Sequence, residues 1–180
     1  MDIGDAFIQV LDSDESHRYL GRLLNLDVSK RVGIELHNRI NAAWGKFHQN
    51  RTWLMNSQVS IRLRLRLFDA CVSPAVLFAT SVPPLGRKDL EAAIIVQRKM
   101  LRLIVGWQRI SKENWADTMR RMNARVAATL VQFPIKTWTE TIFRHRWRYA
   151  AHMVLNTKMT WPRLLAKWIP LQDNYPGKQP

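Results

Sequence analysis

The spacing of apolar residues along this 180-residue chain changes near residue 27. Before that point, two short apolar runs at 6–11 and 18–24 lie on either side of the polar stretch DSDES. Short β-type runs around a polar turn are typical of a hairpin. We therefore predict a β-hairpin within residues 1–26.

From residue 27 onward, apolar side chains recur every three or four residues, which is the period of an amphipathic helix. Asp27 or Ser29 can cap the first of these helices. Within it, Glu35 and Arg39 lie one turn apart and can form a supporting ion pair. Its predicted core stripe comprises Val32, Leu36, Ile40, Ala43, Trp44 and Phe47.

The stretch IRLRLRLFDACVSPAVLF, residues 61–78, fits two structures. As a strand, its alternation would place three arginines on one face. As a helix, it has an apolar stripe of Ile61, Leu65, Phe68, Val72 and Val76. The helical spacing continues past residue 67, where the alternation stops, so we predict a helix. Pro74 is expected to kink or break that helix near its middle.

Two further helices follow a loop with the sequence SVPPLG. The first runs from about residue 87 to residue 105 and stops at Gly106. The second starts at Ser111 or Asn114 and ends before Pro134. The first of the two has a predicted core stripe of Leu90, Ala93, Ile94, Gln97, Leu101 and Ile104.

The next helix, capped by Thr137 or Thr139, has two distinct stripes. We predict that its apolar stripe faces the core, and its other stripe is basic. The apolar stripe comprises Phe143, Trp147, Ala150 and Val154, and the basic stripe comprises Arg144, Arg148 and His152. A last short helix over about 161–168 completes a mainly α fold, a short N-terminal β-hairpin followed by a bundle of five to six helices.

The charge of the chain points to a polyanionic partner. Its formal net charge is +14, and its first 16 residues contain five acids and no Lys or Arg, so the rest of the chain carries +19. Such a charge most often indicates nucleic acid, and less often an acidic membrane surface or an acidic protein. A basic protein without such a partner is the remaining alternative.

The sequence shows no catalytic or metal-binding pattern. It has no adjacent pair of aspartates, no glycine-rich phosphate loop, and no metal-ligand spacing among its histidines. Its one cysteine excludes an internal disulfide. Prolines interrupt its longest uncharged run, 70–86, so no membrane span is expected. We therefore expect no catalytic residue, no metal and no cofactor.

Arginines spaced one helical turn apart are the clearest candidate binding groups. Arg62 and Arg66 form one such pair, and Arg98 and Arg102 form another. The planar guanidinium group can donate two hydrogen bonds to one phosphate. Eight tryptophans accompany the arginines and could stack on bases, although Trp44, Trp107 and Trp147 fall on core stripes and are predicted to pack instead.

Several segments together resemble one protein family. RYLGRLLNLD, ELHNRINAAWGKF, RLRLFDACVSPAVLFATSVPPL and LEAAIIVQRKMLRLIVGWQR occur in the order found in LINE-type non-LTR retrotransposon reverse transcriptases. The later segment TWTETIFRHRWRYAAHMV resembles the part that follows the thumb in that family. The resemblance covers about residues 18–170.

The resemblance implies a division of the chain and a set of site residues. Residues 1–26 would be the end of the palm, 27–110 a thumb-like helical domain, 111–170 a helical extension, and 171–180 a tail. Tyr19, Leu20 and Gly21 would close the palm near the primer. The family's thumb holds the template–primer duplex, so the candidates for the nucleic-acid face are Arg62, Arg66, Arg98, Lys99 and Arg102, with Arg144 and Arg148 added from the basic stripe.

The chain also departs from the family. The FADD-type metal motif of the palm is absent from these 180 residues, so we expect no polymerase activity from this chain alone. The leading hypothesis is a non-catalytic fragment that binds RNA or an RNA–DNA duplex. The alternatives are a recruited structural subunit of a large assembly, such as an organellar ribosome, and a decayed gene fragment. We expect an intracellular location: nucleus, cytoplasm, or an organelle for a recruited subunit.

Overall fold

A computed structural model of the chain describes residues 2–3, 6–7, 12, 15–78, 80 and 85–155. Within these residues the fold is mainly helical and begins with short antiparallel strands. The predicted last helix over 161–168 and the predicted tail lie outside the described residues. The strands are β1 (Asp2–Ile3), β2 (Ala6–Phe7), β3 (Ser16–Tyr19) and β4 (Arg22–Asn25), and the helices are α1 (Val28–Gln49), α2 (Arg51–Leu54), α3 (Ile61–Leu67), α4 (Ser73–Leu77), α5 (Arg87–Ile104), α6 (Trp115–Gln132) and α7 (Trp138–Leu155).

The predicted hairpin is present, but its turn lies elsewhere in the sequence. Strands β3 and β4 pair in antiparallel register, with Tyr19 opposite Arg22. The two residues between them, Leu20 and Gly21, both have positive φ angles, 47° and 77°. Two positive φ angles in a two-residue loop match the twist of paired strands. The turn therefore falls inside RYLGRLL, and its predicted position at DSDES was wrong.

An ion pair on α1 fastens the hairpin to the helices. The Glu35 carboxylate accepts a hydrogen bond from the Leu23 backbone N–H of β4 at 2.6 Å. It also pairs with Arg39 at 2.7 Å, as its spacing predicted, and both side chains are largely buried. Arg39 donates in turn to the Gly21 carbonyl oxygen of the turn, and its guanidinium lies over the Phe78 ring. One buried pair thus joins the hairpin, α1 and the end of α4.

Residues 61–77 form one continuous helical run, as the apolar spacing predicted. Between α3 and α4, residues Phe68–Val72 form a π-helical turn directly before Pro74. Proline lacks an N–H and its ring clashes with the preceding turn of a regular α-helix. A wider turn accommodates that ring, so Pro74 neither breaks nor ends the helix.

The core lies where α1, α3, α4 and α5 meet. The predicted stripes of these helices are buried or half-buried, and Phe47, Phe68 and Ile104 are fully buried. The guanidinium of Arg64 donates to the carbonyl oxygen of Ile104 at 2.6 Å. This bond satisfies one of the carbonyl groups that the last turn of α5 leaves without a partner in the helix. Gly106 follows with a φ of 89° and stops the helix, as predicted.

The caps of the last two helices resolve the alternatives left by the sequence. Asn114 caps α6, because its side chain accepts from the Asp117 backbone N–H at 2.8 Å. Thr137 caps α7, because its hydroxyl oxygen accepts from the Glu140 N–H at 3.1 Å. Both are typical N-cap contacts.

The orientation of α7 differs from the prediction. All four residues of its predicted core stripe, Phe143, Trp147, Ala150 and Val154, are exposed. The helix buries Trp138 and Ile142 instead, on the neighbouring face. Periodicity predicted the Phe143–Val154 stripe as the core side, but the contacts of Trp138 with Phe68 and Ser73 turn the neighbouring side of the helix inward. Trp147 is therefore not a core residue.

The substitution Glu35→Ala tests whether the Glu35 carboxylate holds the hairpin against α1. The substitution removes the acceptor of the Leu23 N–H and the partner of Arg39, so we expect the free energy of unfolding to fall by about 3 kcal/mol. Urea denaturation measures this change. The control is Glu91→Ala, because the Glu91–Arg87 pair is exposed and such pairs contribute about 0.5 kcal/mol. Equal losses in the two variants would contradict the proposed role of Glu35.

Glu113, which lies just before α6, is held by hydrogen bonds from two side chains. Its carboxylate accepts hydrogen bonds from Arg121 at 2.9 and 2.8 Å and from the Thr118 hydroxyl at 2.8 Å. Arg121 chiefly, helped by Thr118, lowers the pKa of Glu113 from 4.5 to about 2. A carboxyl group whose pKa is lower in the folded state than in the unfolded state stabilises the fold at pH values above its unfolded-state pKa. That stabilisation is lost as the pH falls through the folded-state pKa.

We therefore expect Glu113→Gln to be less stable than the wild-type chain at pH 7. The difference should shrink as the pH falls from about 4.5 to about 2, since the wild-type carboxylate becomes protonated in that window. Urea denaturation at a series of pH values checks this. A difference that stays constant across the window would show that the ion pair with Arg121 is not its cause.

Candidate nucleic-acid interface

The connection between α6 and α7, residues 133–137, is fixed by one buried side chain of α5. The amide nitrogen of Gln97 donates to the carbonyl oxygen of Lys136 at 3.1 Å. Its amide oxygen accepts from the backbone N–H of Trp138 at 2.9 Å. Gln97 is itself buried. Both polar ends of one side chain thus hold the backbone on either side of Thr137.

Trp138 completes the attachment of this connection to the core. Its ring stacks on Phe68, with centroids 6.0 Å apart. Its indole N–H donates to the Ser73 hydroxyl oxygen at 2.9 Å, so its one polar group is satisfied inside the core. The start of α7 is therefore held against both α4 and α5.

Three grooves surround this connection. The α5–α6 groove is lined by Arg98, Asn123 and Lys136 over an apolar floor that includes Ile135. The α3 groove is lined by Arg62, Arg66 and the residues 132–135. The α7 groove is lined by Asp69, Lys136, Thr141, Arg144 and His145.

Shared residues show that the three grooves are neighbours. Ile135 lines both the α5–α6 groove and the α3 groove. Lys136 lines both the α5–α6 groove and the α7 groove. Arginines from three separate helices therefore gather around one connection, although no two of these helices are adjacent in the sequence. We call these three grooves together the basic surface.

Four of the sequence-predicted residues belong to the basic surface, namely Arg62, Arg66, Arg98 and Arg144. Arg102 lies one turn after Arg98 and donates to the Asn123 side chain at 3.1 Å. Burial, and secondarily the charge of Arg98, lowers the pKa of Arg102. Arg148 is exposed one turn after Arg144.

Lys99 and the segment Tyr19–Gly21 lie elsewhere. The ammonium group of Lys99 lies 5.5 Å from the centre of the Trp44 ring of α1, so it points toward α1 and lines none of the three grooves described. Tyr19 and Leu20 are exposed at the hairpin turn. Gly21 lies against the Phe78 ring, and its carbonyl oxygen accepts from Arg39. The structure does not bring these residues into the basic surface.

Sequence reasoning missed Lys136, His145 and a further arginine pair. Lys136 directly precedes the Thr137 cap, and that position is the only sequence signal it gives. His145 faces the α7 groove beside Arg144. Arg64 and Arg125 approach each other near the end of α5, where burial and then the charge of Arg125 lower the pKa of Arg64.

Among the residues that the structure describes, no three His, Cys, Asp or Glu side chains are grouped so that they could hold a metal ion. Within the same residues, each helix is too short or too polar to cross a membrane.

Comparison with known proteins gives one similarity. The chain is 25% identical over 171 residues to an uncharacterized transposon-derived protein of Caenorhabditis elegans. The alignment covers 94% of this chain and 58% of the relative, so the chain spans a little over half the relative's length. No protein-family model and no solved structure matches the chain. The similarity points to a transposon origin.

Gln97→Met tests what holds the basic surface in place. Methionine has nearly the same volume but leaves the Trp138 N–H and the Lys136 carbonyl without their partner. We expect the free energy of unfolding to fall by about 2 kcal/mol, and amide hydrogen exchange at Trp138 to become faster. Gln49→Met is the matched control, because Gln49 is exposed at the end of α1. Unchanged exchange at Trp138 would refute this role of Gln97.

Proposed function

We propose that this chain is a non-catalytic, nucleic-acid-binding segment derived from a LINE-type retrotransposon reverse transcriptase. The observation that carries the proposal is the gathering of Arg62, Arg66, Arg98, Lys136 and Arg144 in adjoining grooves. These side chains come from α3, α5, α7 and the connection before α7. A single ligand with regularly spaced negative charges would meet all of them.

The chemistry of these side chains fits a phosphate backbone better than base edges. Arginine donates two hydrogen bonds to a phosphate in a fixed fork, and lysine provides a compact positive charge. Phosphate contacts position a protein on a duplex but carry no sequence information. We therefore propose that the chain binds RNA or an RNA–DNA hybrid largely without regard to sequence, since A-form duplexes are recognised mostly by shape and backbone.

The close approach of like charges supports a polyanionic ligand. Burial chiefly, and then the charge of the neighbouring Arg98, lowers the pKa of Arg102, which donates to Asn123 of the α5–α6 groove. Holding cations close together without an anion costs free energy in the folded chain. A bound phosphate backbone would relieve that repulsion and release condensed counterions.

The origin of the chain supports the same proposal. A transposon-derived relative, together with the ordered segments from RYLG to QRKMLR, favours descent from a reverse transcriptase. In that family the corresponding helices hold the template–primer duplex. We propose no chemical step for the residues of this chain.

The test is the affinity for a short RNA–DNA hybrid across a salt series, measured by fluorescence anisotropy. Arg98→Ala with Lys136→Ala removes two charges from one groove. If each contacts one phosphate, the slope of log affinity against log salt should become shallower by about 2. Both side chains are exposed, so the fold should remain, which circular dichroism checks.

The control is Arg87→Ala with Arg120→Ala, which removes the same charge from two exposed arginines outside the described grooves. We expect this variant to keep the wild-type slope within experimental error. Equal slopes for the two double variants would mean that binding follows net charge alone, and would contradict the basic surface. No binding by the wild-type chain at low salt would overturn the proposed function.

A second candidate function is a structural subunit of a large assembly. The observation that favours it is the exposed apolar stripe of α7, in which Trp147 is 75% exposed. Exposed apolar stripes of this kind are typical of surfaces that other proteins cover. In this case the chain should co-purify with a defined complex, and Trp147→Ser should release it.

A further inference from the structure

Helix α7 presents two apolar faces, one buried and one exposed. One face is buried through Trp138 and Ile142. A second carries Phe143, Trp147, Ala150 and Val154, all exposed, at intervals of four, three and four residues. At 1.5 Å per residue, this apolar stripe is about 16 Å long. It lies beside the buried face, so it is a separate surface and not the margin of the core.

The apolar stripe is bordered by basic residues. At 100° per residue, Arg144 and Arg148 follow the stripe on one side and Arg146 precedes it on the other. By the same arithmetic Glu140, the one acid within α7, lies between the stripe and Arg144. It pairs with Arg144 at 3.3 Å, so the net positive charge of the borders comes from Arg146 and Arg148. An apolar centre with positive borders is complementary to an apolar centre with negative borders.

The positive charge around the apolar stripe determines which kind of ligand can bind this face. A second copy of the chain would bring another stripe with net positive borders, and each copy has a net charge of +14. Like charges facing each other oppose association. A nucleic acid would satisfy the arginines but would offer little apolar surface to cover the stripe. An amphipathic helix with acidic borders satisfies both parts at once.

We propose that the apolar stripe of α7 binds an amphipathic helix of a partner protein whose apolar face is bordered by aspartate or glutamate. Trp147 is the central anchor of this surface. Tryptophan and arginine are the residues most often found at the energetic centre of protein interfaces. This proposal rests on the second candidate function, for which it names the chemistry of the partner, and it does not depend on nucleic-acid binding at the basic surface.

Three labelled 18-residue peptides test the proposal with the full chain. The first is a helix with a leucine stripe bordered by glutamates. The second has the same composition in scrambled order, which removes the stripe but keeps the charge. The third keeps the stripe and replaces each glutamate by lysine. We expect the first peptide to bind at least about tenfold more tightly than either of the others, because only it matches both the stripe and its borders.

Matched tryptophan substitutions locate the site. Trp147→Ser should weaken binding of the first peptide by about tenfold or more. Trp53→Ser is the control, because Trp53 is 60% exposed on α2, and it should leave the affinity unchanged. Trp147 contributes little to the core, so both variants should remain folded by circular dichroism.

Several outcomes would overturn the proposal. Equal binding of the ordered and scrambled acidic peptides would show that net charge alone accounts for peptide binding. Equal effects of Trp147→Ser and Trp53→Ser would place the site elsewhere. A wild-type dimer that Trp147→Ser dissociates would identify a second copy as the occupant. Binding to anionic but not zwitterionic vesicles, lost in Trp147→Ser and without peptide binding, would identify a lipid surface.

Discussion

The arrangement of the C-terminal helices depends on the two hydrogen bonds of Gln97. A buried amide that left either end unpaired would cost about 1–3 kcal/mol, so the side chain fixes both the Lys136 carbonyl and the Trp138 N–H. Trp138 then reaches Phe68 and Ser73. These contacts fix where α7 begins and which side of α7 is buried. The grooves on either side of Lys136 exist because this backbone is held there.

Two consequences for binding come from that one attachment. It places Lys136 between Arg98 and Arg144, which joins cations from distant parts of the sequence into a basic surface. It also turns Phe143 and Trp147 outward. Arg144 lines the basic surface and also borders the apolar stripe, so the two proposed surfaces adjoin and share one cation.

Local patterns predicted the helices well because each helix is encoded by nearby residues. The stripes of α1 and α5 and the stop at Gly106 follow from spacing and side-chain chemistry, whereas the choice of Thr137 over Thr139 as the cap needed the structure. The hairpin turn was misplaced because Leu20–Gly21 lacks the usual Asn-Gly signal. The orientation of α7 was wrong because Phe143 and Ile142 offer two adjoining apolar stripes, and only the long-range contacts of Trp138 choose between them. Lys136 was missed because its position depends on Gln97, 39 residues away.

The most direct test of the basic surface is hydrogen–deuterium exchange of the full chain with and without a saturating RNA–DNA hybrid. We expect slower exchange in peptides covering residues 133–137 and the neighbouring turns of α3, α5 and α7, with no change in the hairpin at Tyr19–Gly21. Protection confined to the hairpin, or spread evenly over every exposed basic segment, would contradict the claim that these grooves bind nucleic acid.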